Sequence, residues 1–130
     1  DSTHSTSNST TWGNYKDNAW TIDRTTAKYT DSTNVKTGSW TAITSNKSKT
    51  NSESFLLTTG ASDSFKAKNI FDLAGNVREW TMEAYYSDYR VSRGGFYSDT
   101  GSDFPASGRG SYDSPTLSDY DIGFRSALYL

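Results

Sequence analysis

The sequence predicts an α+β domain dominated by short strands and loops, and three observations carry that prediction. No capped, amphipathic run of about ten residues precedes residue 68. Hydrophobic residues make up only 32% of the 130-residue chain while aromatic residues reach 15%, so a small, aromatic-rich core must support a very polar surface. After Arg90 the chain is punctuated by Gly94-Gly95, Gly101, Pro105, Gly108, Gly110, Pro115 and Gly123, which leaves room for brief strands between loops.

Taken in order, residues 1–11 are almost wholly Ser, Thr and Asn with one His. Such a composition offers nothing to pack and is expected as a polar linker or loop, with the domain proper at 12–130. Isolated anchors follow at Trp12, Trp20, Ile22, Val35, Trp40 and Ile43 in a Thr/Ser/Asn/Lys-rich background. Residues 40–44 (WTAIT) and 54–58 (SFLLT) have strand composition. Ile70, Leu73, Val77, Trp80 and Ala84 recur at helical spacing, yet Gly75-Asn76 in their midst is a turn signal. The pattern alone leaves helix and turn open. Two further short strands are expected around 90–93 and 123–128.

Net charge is -2 and the pI about 5.2, which argues against an electrostatic grip on nucleic acid or anionic lipid. There is no cysteine and one histidine, His4, so thiolate metal sites, thiol nucleophiles and histidine clusters are excluded within the chain. A hydrolytic triad would depend on His4 as well. No run approaches the roughly 20 apolar residues of a membrane span, so membrane insertion is not expected.

Asp72 and Glu79 flank the Gly75-Asn76 pair. Calcium takes about six to eight hard oxygens, and a turn bracketed by two acids can supply several. The same two acids could instead cap the turn or pair with an arginine.

Three blocks resemble the formylglycine-generating-enzyme (sulfatase-modifying factor) family: 69–80 (NIFDLAGNVREW), 90–95 (RVSRGG) and 123–125 (GFR). Order and spacing both fit over roughly the last 60–65 residues; residues 1–60 carry no motif that can be named. The resemblance implies a C-type-lectin-like fold, of which this chain would be the C-terminal part, and it decides for a turn at Gly75-Asn76. It also implies a calcium ion held by the Asp72 and Glu79 side chains and the carbonyls of Gly75 and Val77. Arg93, Gly94, Gly95, Gly123, Phe124 and Arg125 are implied to be structural, with each guanidinium spent on carbonyls or a carboxylate. Two departures stand out: Arg78 where the family has an aromatic, and Phe96-Tyr97 where it has Ser-Trp. The oxygen-activating members use a cysteine pair and a related branch uses several histidines, so catalysis by this chain alone is not expected.

Residues 85–121 reuse three residue types. Tyr86-Ser87-Asp88 recurs as Tyr97-Ser98-Asp99, Ser87-Asp88-Tyr89 recurs as Ser118-Asp119-Tyr120, and Ser111-Tyr112-Asp113 permutes the set. Tyr gives a rigid contact surface with a polar tip, and Ser and Asp give short hydrogen bonds, as in antibody loops. Six Asp against three Arg make this stretch acidic. Such a surface suits a basic protein patch or a sugar. The segment also resembles the variable regions of diversity-generating-retroelement proteins, which share the lectin fold. On that resemblance Tyr97, Ser98, Asp99, Asp103, Phe104, Tyr112, Asp113, Asp119 and Tyr120 are the expected contacts. The partner would be a protein or glycan on a cell surface, and the setting a bacterial surface or phage virion. Association with further parts of the domain, or with neighbouring surface subunits, belongs to the same expectation. The rival functions are a degenerate or partner-completed enzyme of the family and a purely structural virion or surface domain.

Overall fold

The computed structural model describes residues 2–126, apart from the side chains of Ser111 and Tyr112. In chain order the strands are β1 (Trp20–Ile22), β2 (Lys28–Asp31), β3 (Thr41–Ala42), β4 (Lys47–Lys49), β5 (Phe55–Leu57), β6 (Lys66–Ala67), β7 (Ile70–Phe71), β8 (Arg78–Tyr86), β9 (Tyr89–Arg93), β10 (Arg109–Asp113) and β11 (Ile122–Gly123). Helical structure among the described residues is confined to α1 (Ser2–Thr6) and three short 3-10 turns. The domain is therefore β-dominated, helix-poor and rich in loops, as its composition and punctuation predict.

The first half builds two small sheets, β1–β4 and β3–β2–β5, all antiparallel. They enclose a core of Trp20, Ile22, Ala27, Ile43, Leu57, Ala61 and Phe65, with Tyr29 and Phe55 packed against it. Burial of each large apolar side chain contributes about 1.5–3 kcal/mol, so so few anchors leave little margin. Buried polar groups are matched individually. Lys49 is 2% exposed, and its ammonium donates to the carbonyls of Lys16 and Asn18 at 3.0 and 2.8 Å, tying the loop before β1 to β4. Burial moves its pKa below the usual lysine range.

The β6–β7 hairpin closes through Lys68-Asn69, both at positive φ (48° and 66°). That is the geometry a two-residue loop needs to match strand twist. In the second half β10, β9, β8 and β11 form one sheet in that order, with β8–β9–β10 antiparallel and β11 parallel to β8. Strands β8 and β10 were not expected from the sequence. Of the strand expected at 123–128, its start falls in β11, and residues 127–130 lie outside the described residues.

The N-terminal stretch, expected as a polar linker or loop, is tied to the second half of the chain. Ser9 is fully buried. Its N–H donates to the Gly101 carbonyl at 2.8 Å, and its hydroxyl accepts from Ala106 N–H at 2.8 Å and donates to the His4 carbonyl. Ser107 N–H reaches the Ser5 carbonyl at 2.9 Å. Hydrogen bonding, which composition does not report, holds this segment in place.

Candidate functional site

The Gly75-Asn76 segment is a turn, not a helix. Asp72, Gly75 and Asn76 all take positive φ (52°, 67° and 63°), a region glycine enters freely and Asn or Asp more readily than other residues. Two neighbouring segments grip the turn by their backbones. Asn14 bridges Gly75 in parallel fashion and accepts from Asn76 N–H at 2.9 Å. Gly75 N–H donates to the Gly94 carbonyl at 2.7 Å, and Tyr97 N–H donates to the Asn76 carbonyl at 3.0 Å.

The 90–95 block thus docks directly on the turn, and Gly95 also lets Phe104 and Tyr15 pack close to it. At Gly95 a Cβ would lie 2.9 Å from both the Phe104 side chain and the Tyr15 ring. The Tyr15 hydroxyl lies 2.6 Å from the Gly94 carbonyl and 2.7 Å from that of Phe104, with one proton to donate between them.

Arg93 and Arg125 both spend their guanidinium groups on carboxylates and backbone carbonyls. Arg93 pairs with Glu83 at 2.6 Å and donates to the Ser107 carbonyl. Arg125 donates to both oxygens of Glu79 at 3.0 and 2.5 Å, and to the carbonyls of Phe71 and Asp72 at 3.0 and 3.2 Å. Gly123 pairs with Glu79 in β11. Phe124, expected as structural, is 83% exposed. Arg78, the residue that departs from the family's aromatic, pairs with Asp121 at 2.8 Å and stacks over Phe96 at 4.6 Å.

Of the four expected metal ligands, Asp72, Val77 and Glu79 line one cavity of about 340 Å³, together with Gly123, Phe124 and Arg125; Gly75 does not line it. Asp72 Oδ2 accepts from Gly60 N–H at 2.8 Å, but Oδ1 is buried without a partner. Burial raises the Asp72 carboxyl above the usual aspartate range. An orphaned buried carboxylate oxygen beside a cavity that Glu79 also lines fits a hard cation in kind. No cluster of three or more His, Cys, Asp or Glu side chains occurs among the described residues, so any such site would draw on carbonyls and water as well.

The nine expected contact residues do not share one fate. Tyr97 is 1% exposed, and burial pushes its hydroxyl up to about 12, with Tyr120, Asp121, Asp31 and Asp119 adding to the rise. It is an interior residue, and the expected contact role is corrected. Ser98, Asp99 and Asp113 are half-buried. Asp99 Oδ2 accepts from Phe96 N–H at 3.1 Å. Asp103, Phe104, Asp119 and Tyr120 are exposed; the Lys36 ammonium lies 5.6 Å from the centre of the Tyr120 ring. The Tyr112 side chain lies outside the described residues. Residues missing from the expected set are Tyr85, Tyr86 and Tyr89 near the β8–β9 turn, 36%, 65% and 42% exposed. Their signal was present in the Tyr86-Ser87-Asp88-Tyr89 repeat, but without β8 it had no position.

Burial also sets a pH dependence. Asp99 and Asp121 are both raised from the aspartate value of 3.8, chiefly by desolvation. The folded state therefore keeps protons that the unfolded chain has released, and stability falls as pH rises from about 4 through the raised values. Glu83 is lowered from 4.5 by its hydrogen bond from Arg93, so its contribution is lost only in stronger acid. Melting temperature is expected to fall as pH rises from about 4 through the raised values, and Asp99→Asn to lessen that fall. A melting curve that rises monotonically to neutrality would contradict the assignment.

These features define a β-dominated, loop-rich domain whose glycine-rich strand end and Gly-Asn turn interlock through backbone contact. The chain belongs to the family of the sulfatase-modifying factor enzyme 1-like domain, whose model matches residues 7–130. No curated protein and no solved structure matches it. The match reaches back to residue 7, so the resemblance is not confined to the last 60–65 residues. The first half belongs to the family too, although its sequence displays no motif that announces it.

Proposed function

We propose that this chain is a non-catalytic recognition module on a C-type-lectin-like scaffold, reading a protein or glycan on a cell surface through side chains of residues 85–121. The observation that carries this reading is the sorting of aromatic residues in that segment. Tyr97 is turned inward while Tyr85, Tyr86, Tyr89, Phe104 and Tyr120 stay at the surface. The exposed rings are partly pre-ordered: Tyr85 packs edge-on against Tyr86 at 4.7 Å, and the Arg109 guanidinium lies 5.7 Å from the centre of the Tyr85 ring. Rings held in place lose little entropy on binding, and Tyr is a frequent anchor of interface energy. A chain without cysteine, whose one histidine stacks on Trp12 at 5.5 Å, offers neither the cysteine pair nor the histidine cluster of the family's oxidative members.

In this reading calcium is a structural brace. Asp72, Glu79 and the Val77 carbonyl would hold it, and it would supply charge that draws the turn together. Display on a bacterial surface or phage particle, with a diversified C-terminal segment, completes the proposal.

The test is binding of labelled protein to a glycan array and to intact bacterial cells. Wherever the wild type binds, Tyr86→Ser and Tyr120→Ser together are expected to weaken it about tenfold or more, as loss of anchor residues does, with melting unchanged. Undiminished binding by that variant would refute the surface assignment. Sequencing the gene across its natural population addresses diversification separately. Substitutions should cluster at Ser98, Asp103, Phe104, Asp113, Asp119 and Tyr120 while buried Tyr97 and Gly95 stay fixed; uniform invariance would remove that part of the proposal.

A further inference from the structure

The Glu79–Arg125 pair stands between two cavities. One, of about 340 Å³, contains Asp72 and Val77; the other, of about 280 Å³, contains Trp80, Thr81 and Arg93, and both are lined by Glu79 and Arg125. Arg125 forks onto both Glu79 oxygens while its Nη2 also reaches the carbonyls of Phe71 and Asp72. A guanidinium therefore already holds the carboxylate and part of the turn that a metal ion would hold. Asp72 lies across the same cavity, 6% exposed, with Oδ1 unpartnered. The site contains one resident cation and one unspent anionic oxygen.

We propose that Arg125 is a built-in competitor for the metal: a divalent cation takes Asp72 and Glu79 together only by displacing Arg125 from Glu79. This rests on the calcium reading of the turn. Both Glu79 oxygens accept from Arg125, so a second cation on that carboxylate would sit close to the guanidinium and be repelled by it. Exchange is nevertheless accessible. The Arg125 and Glu79 side chains retain 34% and 22% exposure, so water screens the pair and limits its net strength. Arg125 is not part of the hydrophobic core, so its side chain can leave without disrupting that core. Cation loading thereby frees the Arg125 side chain from the turn while β11 stays paired with β8, and emptying the site ties it back.

Terbium titration tests this, with Trp80 beside Glu79 as the sensitising antenna. Wild type, Arg125→Gln and Glu79→Gln are compared, each first shown to be folded by circular dichroism and melting. Arg125→Gln is expected to bind Tb³⁺ about tenfold tighter than wild type, equivalent to about 1.4 kcal/mol, and Glu79→Gln to lose binding. Should Arg125→Gln fail to fold, Arg125→Lys replaces it; it keeps the charge but loses the fork, and should bind with intermediate affinity. Wild-type binding that Glu79→Gln abolishes but the Arg125 variant leaves equal or weaker would overturn the competition while sparing the calcium reading. If no protein gives saturable emission, both fail. Glu79→Ala melting cannot substitute for this experiment, because it strands Arg125 whether or not metal binds.

Discussion

Asn76→Ala is expected to destabilise the domain by about 3–5 kcal/mol, the range reached when a buried hydrogen-bond network is broken. The side chain, 3% exposed, makes three hydrogen bonds. Oδ1 accepts from Leu57 N–H at 2.9 Å and from Asn14 Nδ2 at 3.0 Å, and Nδ2 donates to the Leu57 carbonyl at 2.9 Å. Asn14 in turn donates to the Phe55 carbonyl and accepts from Trp20 Nε1 at 2.9 Å. One amide thus joins the Gly-Asn turn to β5 and, through Asn14, to the aromatic core. Alanine would strand both backbone groups of Leu57 and hold a left-handed φ that costs it about 1–2 kcal/mol. Asn76→Gly removes the φ penalty but not the lost bonds, so it should recover only about that part. Urea unfolding followed by Trp fluorescence measures all three proteins. A loss below about 1 kcal/mol for Asn76→Ala would show that the network does not hold the two halves together.

That network also explains what the sequence could and could not disclose. The turn was legible because Gly75-Asn76 is a local signal, and strands near 40–44 and 54–58 because β-branched and aromatic residues cluster there. Strand β8 was hidden: Arg78–Tyr86 is half-buried or exposed along its length, with register shifts against β9, so it lacks the strict alternation that marks a strand. The anchoring of Ser9 was hidden because its partners, Gly101 and Ala106, lie about a hundred residues away in sequence. At the candidate site, Asp72 and Glu79 were legible as acids flanking a turn, but not that Arg125 would occupy Glu79. Tyr97 shares its tripeptide pattern with exposed Tyr86, and only the docking of Gly94-Gly95 on the turn sends one ring inward and leaves the other out. Composition reports which side chains suit a surface; the backbone path decides which of them reach it.

The backbone path itself can be tested at Gly13, where Gly13→Ala is expected to cost about 3 kcal/mol or more, the upper end of overpacking. Its backbone is extended (φ -157°, ψ 179°), a conformation any residue adopts, so the need for glycine is purely steric. A Cβ there would stand 1.7 Å from the Ala74 carbonyl oxygen and 2.6 Å from its carbon. Both neighbours are backbone, so no side chain can swing away; the 13–14 segment must part from the turn. Parting would weaken the Asn14–Gly75 bridge and the Asn76 N–H to Asn14 carbonyl bond together. Gly38 supplies the opposite case: its φ of 72° strains alanine, but nothing lies within 4 Å of an added Cβ. Gly38→Ala should therefore cost only about 1–2 kcal/mol, all of it conformational. Chemical denaturation of both variants separates the two causes. If Gly13→Ala proves no worse than Gly38→Ala, the close approach of these backbones relaxes cheaply and is not what seats the turn; if it is the larger loss, contact between the first and second halves of the chain is what positions Asp72 and Glu79.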